Sequence, residues 1–281
     1  MELVDLFTNT LLLTTPIALI AIGELINERA GIINVGVEGT ALIGALVAAI
    51  AGSYTGSPWM GVTAALGAGA GTGLLHAVWC VKFRANHVVS GIAINIIALG
   101  MAGFVPQTLW RSRGTSPPLL TINTWIIVVA MVVIVALCHL FLFKTPWGLR
   151  LRMVGEKPDA ADAAGINVYK IRYLSTVANG VLCALAGVFL VNYTGIFTSG
   201  TVAGRGFIGI AAMVVGNYNP FAAFGGALLF GLVYGLQMSL QHFIPSQLAL
   251  MLPYLLTVVV LAFFLKRSNV PKALGKPYVK E

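Results

Sequence analysis

The sequence predicts an all-α, polytopic membrane helix bundle of about nine spans. Hydrophobic residues make up 58% of the 281 and charged residues only 9%, where a soluble domain carries about 25% charged. So few charges cannot cover a water-facing surface. Runs of about 20 apolar residues recur along the chain, each long enough to cross about 30 Å of hydrocarbon as a helix. The basic residues cluster between those runs, in a few loops and in the tail.

In order, spans fall near 5–23, 38–55, 59–81, 88–107, 125–143, 173–192, 205–218, 220–241 and 247–265. The first opens with Glu2 and Asp5 instead of a basic patch, and no small-residue cleavage site precedes a soluble domain. It therefore reads as a span and not as a signal peptide. The seventh is the weakest: it is short and holds Gly206, Gly209 and Gly216. A re-entrant segment there, or an extra crossing over 24–38, moves the count to eight or ten.

Charge orients the bundle. Lys82 and Arg84 share one loop, and Lys144, Arg150, Arg152, Lys157, Lys170 and Arg172 share the longest. Lys266, Arg267, Lys272, Lys276 and Lys280 lie in the tail. Alternating the spans puts these segments and Arg29 on one side, leaving only Arg111, Arg113 and Arg205 of the 17 basic residues opposite. Basic loops mark the cytoplasmic face, so the N-terminus is expected outside and the C-terminus inside. The net charge of +8 is thus topological, and no nucleic-acid partner is expected. The chain divides into one membrane domain over 1–265, with a polar loop at 144–172, and a basic tail over 266–281.

An internal echo predicts an inverted repeat. At an offset of 162, Pro58, Trp59, Leu66, Gly69, Gly73 and Leu74 match Pro220, Phe221, Leu228, Gly231, Gly235 and Leu236. At an offset of 164, Gly31, Ile32 and Gly36 match Gly195, Ile196 and Gly200. With alternating spans the copies run in opposite directions, as in many transporter folds. Gly67, Gly69, Gly71 and Gly73, and Gly231 with Gly235, form small-xxx-small pairs that suit close helix packing within one bundle. Cys80, Cys138 and Cys183 are isolated in apolar runs and fit packing; their spacing suggests neither a disulfide framework nor a metal site. His76, His139 and His242 have no carboxylate partner by spacing and read as structural, and Arg205 as interfacial.

The loop 144–172 holds a candidate helix. Pro158 and Asp159 suit its N-terminus, Ala160, Ala161, Ala163 and Ala164 its body, and Gly165 the C′ position after it. An alanine-faced helix between basic flanks lets a partner's groove close around it; the plainer reading is a solvated loop.

The run GLRLRMVGEKPDAADAAGI (Gly148–Ile166) resembles the coupling helix of permease subunits of bacterial ABC importers, in the group carrying simple sugars, nucleosides and branched-chain amino acids. GELINERAGIINVGVEGTALIGAL (Gly23–Leu46) and GRGFIGIAAMVVGNYNPFAAFGGALLFG (Gly204–Gly231) resemble the same group, and NERAGIINVGVEG its nucleoside, purine-type branch. Nearly the whole chain is covered. The resemblance implies a cell (inner) membrane importer of two permease chains, two ATPase subunits and an extracytoplasmic binding protein. It implies that Glu156, Pro158, Ala160, Ala161, Ala164 and Gly165 contact the ATPase, and that ATP and Mg stay on that partner. This chain would bind no cofactor itself. It favours a second permease of different sequence. Ala161→Arg is then expected to leave the fold intact and abolish transport.

A second polar stretch surrounds Asn34 and Glu38. Glu24, Asn27, Glu28 and Arg29 also interrupt apolar sequence here, and a carboxylate deep in a bundle costs about 2.5–3.5 kcal/mol unless paired or wet. Asn34 and Glu38 either line a translocation path, or Glu38 lies near the cytoplasmic interface, neutralised by Arg29 or a helix N-terminus. Asn95, Asn179 and Asn192 are further path candidates, since amides suit a neutral hydrogen-bonding solute; each alternatively serves as interhelical glue.

The chain has no GxxxxGK[ST] phosphate loop, HExxH or GxSxG, so neither ATP hydrolysis nor intramembrane catalysis is expected. The expected function is a non-enzymatic permease that moves a neutral polar solute, a nucleoside first and a simple sugar second, by alternating access. The rival class is a proton-coupled carrier using Glu38, which would not need the loop helix.

Overall fold

In the computed structural model, which describes residues 3–241, 245–264 and 269–279, eleven α-helices follow one another. They are α1 (Leu3–Arg29), α2 (Val37–Thr55), α3 (Pro58–Ala77), α4 (His87–Trp110), α5 (Thr124–Lys144), α6 (Pro146–Glu156), α7 (Pro158–Ala163), α8 (Val168–Thr194), α9 (Arg205–Val215), α10 (Pro220–Leu240) and α11 (Ser246–Phe264). A π-helical turn, Val78–Lys82, extends α3. No strand occurs among the described residues; Thr115 and Thr198 make an isolated bridge.

Among the described residues, eight helices are long and apolar enough to cross a membrane, within the eight to ten that the sequence allows. The seventh sequence-predicted span is α9, only 11 residues long, or about 16 Å. At that length it cannot cross alone; residues 195–204 ahead of it are irregular, and coil and helix together connect the two ends of the bundle. The first span is longer than expected. α1 runs on to Arg29, so Glu24, Asn27 and Glu28 are helical rather than interruptions.

Cross-links define two ends. At one, Arg29 donates from Nη2 to the Tyr218 carbonyl (2.9 Å), Ala273 N–H to Gly155 (2.9 Å) and Gly275 N–H to Gly31 (3.0 Å). At the other, Leu119 N–H donates to Gly195 (2.9 Å) and Asn192 Nδ2 to the Ile122 carbonyl (3.0 Å). The polar loop, the α9–α10 turn and the C-terminal segment therefore share an end. His242 and the tail residues Lys266, Arg267 and Lys280 lie outside the described residues.

The repeat is present in three dimensions. α1 and α8 each have 27 residues. α3 and α10 each start with a proline at N1, at opposite ends of the bundle. Each Gly-rich helix packs on the long helix of the other copy. A Cβ on Gly73 would lie 2.5 Å from the Thr176 carbonyl, and one on Gly69 would collide with Gly180. Correspondingly, a Cβ on Gly231 would collide with Thr14, and Gly235 faces Thr10. Backbones this close gain dispersion contact, which must replace hydrophobic drive in lipid. Gly67 and Gly71 meet nothing within 4 Å, so only one of the two overlapping pairs on α3 serves the bundle.

α1, α2 and α8 fill the centre, with Ile17, Leu25, Leu46 and Phe189 among their buried side chains. α4, α5 and α11 present Phe104, Val129 and Phe263 outward, as lipid-facing helices must. The cysteines are buried and unpaired, and His139 packs between Phe143 and Phe221.

Candidate functional site

Polar groups gather in three places. The first is a closed network at the centre. Asn34, in the coil after α1, donates its N–H to Glu24 Oε1 (2.7 Å) and its Nδ2 to Asn179 Oδ1 (2.6 Å). Asn179, on α8, donates Nδ2 to Glu24 Oε2 (2.9 Å). Gly36 N–H closes onto Asn34 Oδ1 (2.9 Å). All three side chains are buried. Such a fully satisfied ring fixes α1, the coil and α8 to each other. One turn further, Glu28 Oε2 accepts from the Tyr218 hydroxyl at 2.8 Å. Burial, with Glu28 beside it, holds the Tyr218 phenol well above its usual range, so it remains a donor.

The second place joins the two repeats. Glu38, in the first turn of α2, accepts from Gly204 N–H (2.7 Å) and Gly206 N–H (2.7 Å). Gly204 is the N-cap of α9 and has no side-chain cap of its own; Glu38 supplies the missing acceptor from across the repeat. Because α9 separates Glu38 from the Arg29 end, the carboxylate lies about 16 Å inside the bundle. The helix terminus therefore partners Glu38, at depth, whereas Arg29 partners Tyr218. Arg205 is likewise not interfacial: it opens α9 at this level, its guanidinium 5.1 Å from the centre of the Tyr234 ring.

Beside this junction is a cavity of about 300 Å³ lined by Glu38, Leu42, Asn95, Leu99, Ser199 and Phe207 among others. Asn95 Oδ1 accepts from Gly39 N–H (2.7 Å) and its Nδ2 donates to the Val35 carbonyl (3.0 Å). Of the five candidate path residues, the structure thus brings Glu38 and Asn95 to one cavity and Asn34 and Asn179 to the closed network. Asn192 stands apart at the far end, where its amide bonds both N–H and carbonyl of Ile122.

The third place is the loop helix. α7 spans Pro158–Ala163, Ala164 caps it and Gly165 follows at φ +79°, the left-handed C′ geometry. α6 fixes it to the body: a Cβ on Gly155 would collide with the Arg29 carbonyl, and one on Gly148 with that of Phe141. Asp159, Ala160, Ala163, Ala164 and Gly165 are exposed, while Glu156 and Pro158 are half-buried. Ala161 is 0% exposed. It faces the chain's own core, so it belongs to the helix's seat and not to an outward surface. The expectation for Ala161→Arg falls with it, because the larger side chain would disrupt the fold. Ala163 takes its place on the outward face.

Two groups were not anticipated. The buried Arg172 on α8 donates Nη1 to the Lys276 carbonyl (3.0 Å). Tyr278 packs against Tyr169 with the rings tilted and their centroids 5.4 Å apart, and hydrogen-bonds Asp162 of α7. Only the basic flavour of these segments was legible; nothing in their spacing announces a folded C-terminal segment.

A helical bundle with two inverted halves and an exposed helix on a polar loop is the architecture of a membrane transport protein. The chain belongs to the family described as branched-chain amino acid transport system / permease component, whose model matches residues 6–261. It is 37% identical to the guanosine ABC transporter permease protein NupQ of Bacillus subtilis, covering 96% of this chain and 95% of that one. It is also 37% identical to the nucleoside ABC transporter permease protein NupC of Lactococcus lactis, covering 97% and 96%. A putative glucose ABC transporter permease protein, TsgC13 of Haloferax volcanii, is 28% identical with 98% of each covered. No solved structure matches the chain.

Proposed function

We propose that this chain is the membrane-spanning subunit of an ATP-binding-cassette importer for nucleosides. The observation that carries this reading is the 37% identity to two nucleoside-class permeases over nearly the full length of all three chains. The geometry suits it. α7 offers small residues to an ATPase groove, α6 roots α7 under α1, and the Glu38 junction lies beside a cavity of about 300 Å³. Glu156, Pro158, Ala160, Ala164 and Gly165, joined by Ala163, form the ATPase-contacting face. ATP and Mg act on the partner, whose closure moves α7 and with it the two repeats. The basic end of the bundle faces the cytoplasm, so the C-terminus is internal.

The second permease is a different chain. In Bacillus subtilis a second guanosine permease protein, NupP, is 29% identical to this chain, below NupQ at 37%. In Lactococcus lactis a second nucleoside permease protein, NupB, is 25% identical, below NupC. Two unequal permeases in each organism fit a heterodimeric pair. A simple sugar is the alternative cargo, favoured by the likeness to the putative glucose permease.

The test is to purify the tagged chain from its native membrane, identify the co-purifying chains, and reconstitute the assembly in vesicles with radiolabelled guanosine or glucose. ATP-dependent guanosine uptake, abolished by Ala160→Arg at unchanged yield, is the expected result. Uptake that persists with no ATPase present would sink the reading. Ala161→Arg should instead prevent recovery of folded protein.

A further inference from the structure

The C-terminal segment is a folded strap, not a free tail. Asn269 N–H donates to Asn217 Oδ1 in the α9–α10 turn, at 2.5 Å. Ala273 N–H donates to Gly155 at the end of α6 (2.9 Å) and Gly275 N–H to Gly31 after α1 (3.0 Å). The Lys276 carbonyl accepts from Arg172 of α8 at 3.0 Å. Tyr278 packs on Tyr169 and hydrogen-bonds Asp162 of α7. Gly275, at φ +73°, makes the turn that lets the segment follow this course.

The strap therefore has two faces. Pro271, Ala273 and Tyr278 point inward and are buried, while Lys272, Lys276, Pro277 and Val279 point outward and are exposed. Between it and α7 lies a groove of about 480 Å³, with Glu156, Lys157, Pro158, Asp159 and Ala160 on one wall and Lys272, Lys276, Tyr278 and Val279 on the other. A segment that only closed off the chain would not need anchoring at five elements, nor would it lie alongside α7.

We propose that the ATPase docks on a composite surface, α7 together with the 271–279 strap, and seats an edge in the groove between them. This rests on the reading of α7 as the ATPase contact, and the strap extends that same face. The chemistry fixes the partner's complement. Lys272 and Lys276 on the strap wall call for carboxylates on the ATPase rim, Lys157 with Glu156 and Asp159 on the α7 wall for an edge of mixed charge, and Ala160 with Val279 for a small apolar knob between them. Rim charges steer and register such an encounter more than they hold it. The strap also links α7 through Tyr278, Lys276 and Gly275 to α8 and the coil after α1, so a load on the groove reaches both.

The experiment uses the whole assembly in native membranes with single cysteines at Lys276, Ala160 and Trp59, each treated with a short thiol cross-linker. Trp59 is exposed at the opposite end and serves as the negative control. The expected result is cross-linking of the ATPase by Lys276→Cys and Ala160→Cys but not Trp59→Cys. In parallel, the double variant Lys272→Glu/Lys276→Glu should retain severalfold less ATPase than wild type at low salt, and the deficit should shrink as salt rises. Cross-linking by Ala160→Cys without Lys276→Cys overturns the composite surface and leaves the α7 reading intact. Failure of both cysteines overturns the α7 reading itself, and the proposal with it. Should the double charge reversal fail to fold, Tyr278→Phe provides a second variant. It keeps the ring contact with Tyr169, releases Asp162, and should lower the Lys276→Cys cross-link severalfold while sparing that from Ala160→Cys. An unchanged Lys276→Cys yield in that background overturns the strap's place in the docking surface.

Discussion

Replacing Glu38 tests how the repeats are joined. Its carboxylate accepts two 2.7 Å bonds from Gly204 and Gly206 in the first turn of α9, both part-buried, beside the cavity of about 300 Å³. Glu38→Ala strands both amides. An unsatisfied buried donor costs about 1–3 kcal/mol and an ordinary hydrogen bond about 0.5–1.5, so with Gly206 buried and Gly204 half-buried the pair should cost about 2–4 kcal/mol. Glu38→Gln keeps one acceptor oxygen but turns an NH₂ toward the other amide. It loses one bond and the charge, for about 1–3 kcal/mol. Glu38→Asp keeps the charge on a shorter arm and should fall between wild type and Gln only if the backbone closes the gap.

The assay pairs thermal unfolding of the detergent-purified protein with ATP-driven uptake by the reconstituted importer. The expected order of stability is wild type above Gln above Ala, with uptake falling in parallel and the concentration for half-maximal uptake unchanged. The two roles of Glu38, clamp and path lining, separate here. A variant that unfolds at the wild-type temperature but needs far more nucleoside would refute the clamp and make Glu38 a solute contact. Wild-type behaviour of Glu38→Ala in both measurements would refute the geometry of the junction altogether.

The Gly-rich seats predict a contrast on one helix. Gly69→Ala should sharply lower the yield of folded protein and Gly67→Ala should not, because a Cβ collides with Gly180 in the first case and meets nothing within 4 Å in the second; overpacking of this kind costs about 1–3 kcal/mol. Size-exclusion profiles from equal membrane amounts would check it, and equal losses would contradict the facing assignment. Asn179→Ala removes two side-chain bonds at once, to Asn34 and Glu24. It should destabilise by about 2–5 kcal/mol, whereas Asn192→Ala, whose partners are only part-buried, should cost less; thermal unfolding of both variants measures the difference.

How much of this was legible depended on which signal each feature left. Long apolar runs marked every membrane helix, because a backbone in lipid has no alternative to satisfying itself along the helix. The start of α7 at Pro158 and its end at Gly165 were legible too, since proline at N1 and a left-handed glycine at C′ are local requirements. The continuation of α1 to Arg29 was not, because Glu24 and Glu28 look like breaks until their partners on α8 and in the α9–α10 turn are known. Burial of Ala161 and exposure of Ala160 depend on how α7 sits against the body, and a six-residue helix carries too little periodicity to phase itself. The strap was hidden for a stronger reason. Four of its backbone groups bond to backbone or side chains elsewhere, and backbone pairing leaves no mark on residue type.

The repeats also differ in a way that bears on movement. α1 matches α8 in length, but α2 has 19 residues and α9 only 11, behind a longer coil. That asymmetry sets the positive N-terminus of α9 against the first turn of α2, itself an N-terminus, with the Glu38 carboxylate between them. Like ends repel, and the Glu38 carboxylate offsets that repulsion where the backbones pack closely: a Cβ on Gly206 would lie 2.7 Å from the Glu38 Cα. The coil after α1, by contrast, is locked by Glu24, Asn34 and Asn179 in a closed ring. Both contacts tie the two repeats together, but the ring is buried and the Glu38 junction only part-buried, so the junction should open first. Hydrogen exchange read by mass spectrometry should find the amides of 204–208 opening faster than those of 32–36. Addition of the ATPase and ATP should change the first set and leave the second protected. Faster exchange at 32–36 would reverse the assignment and make the first repeat the moving part.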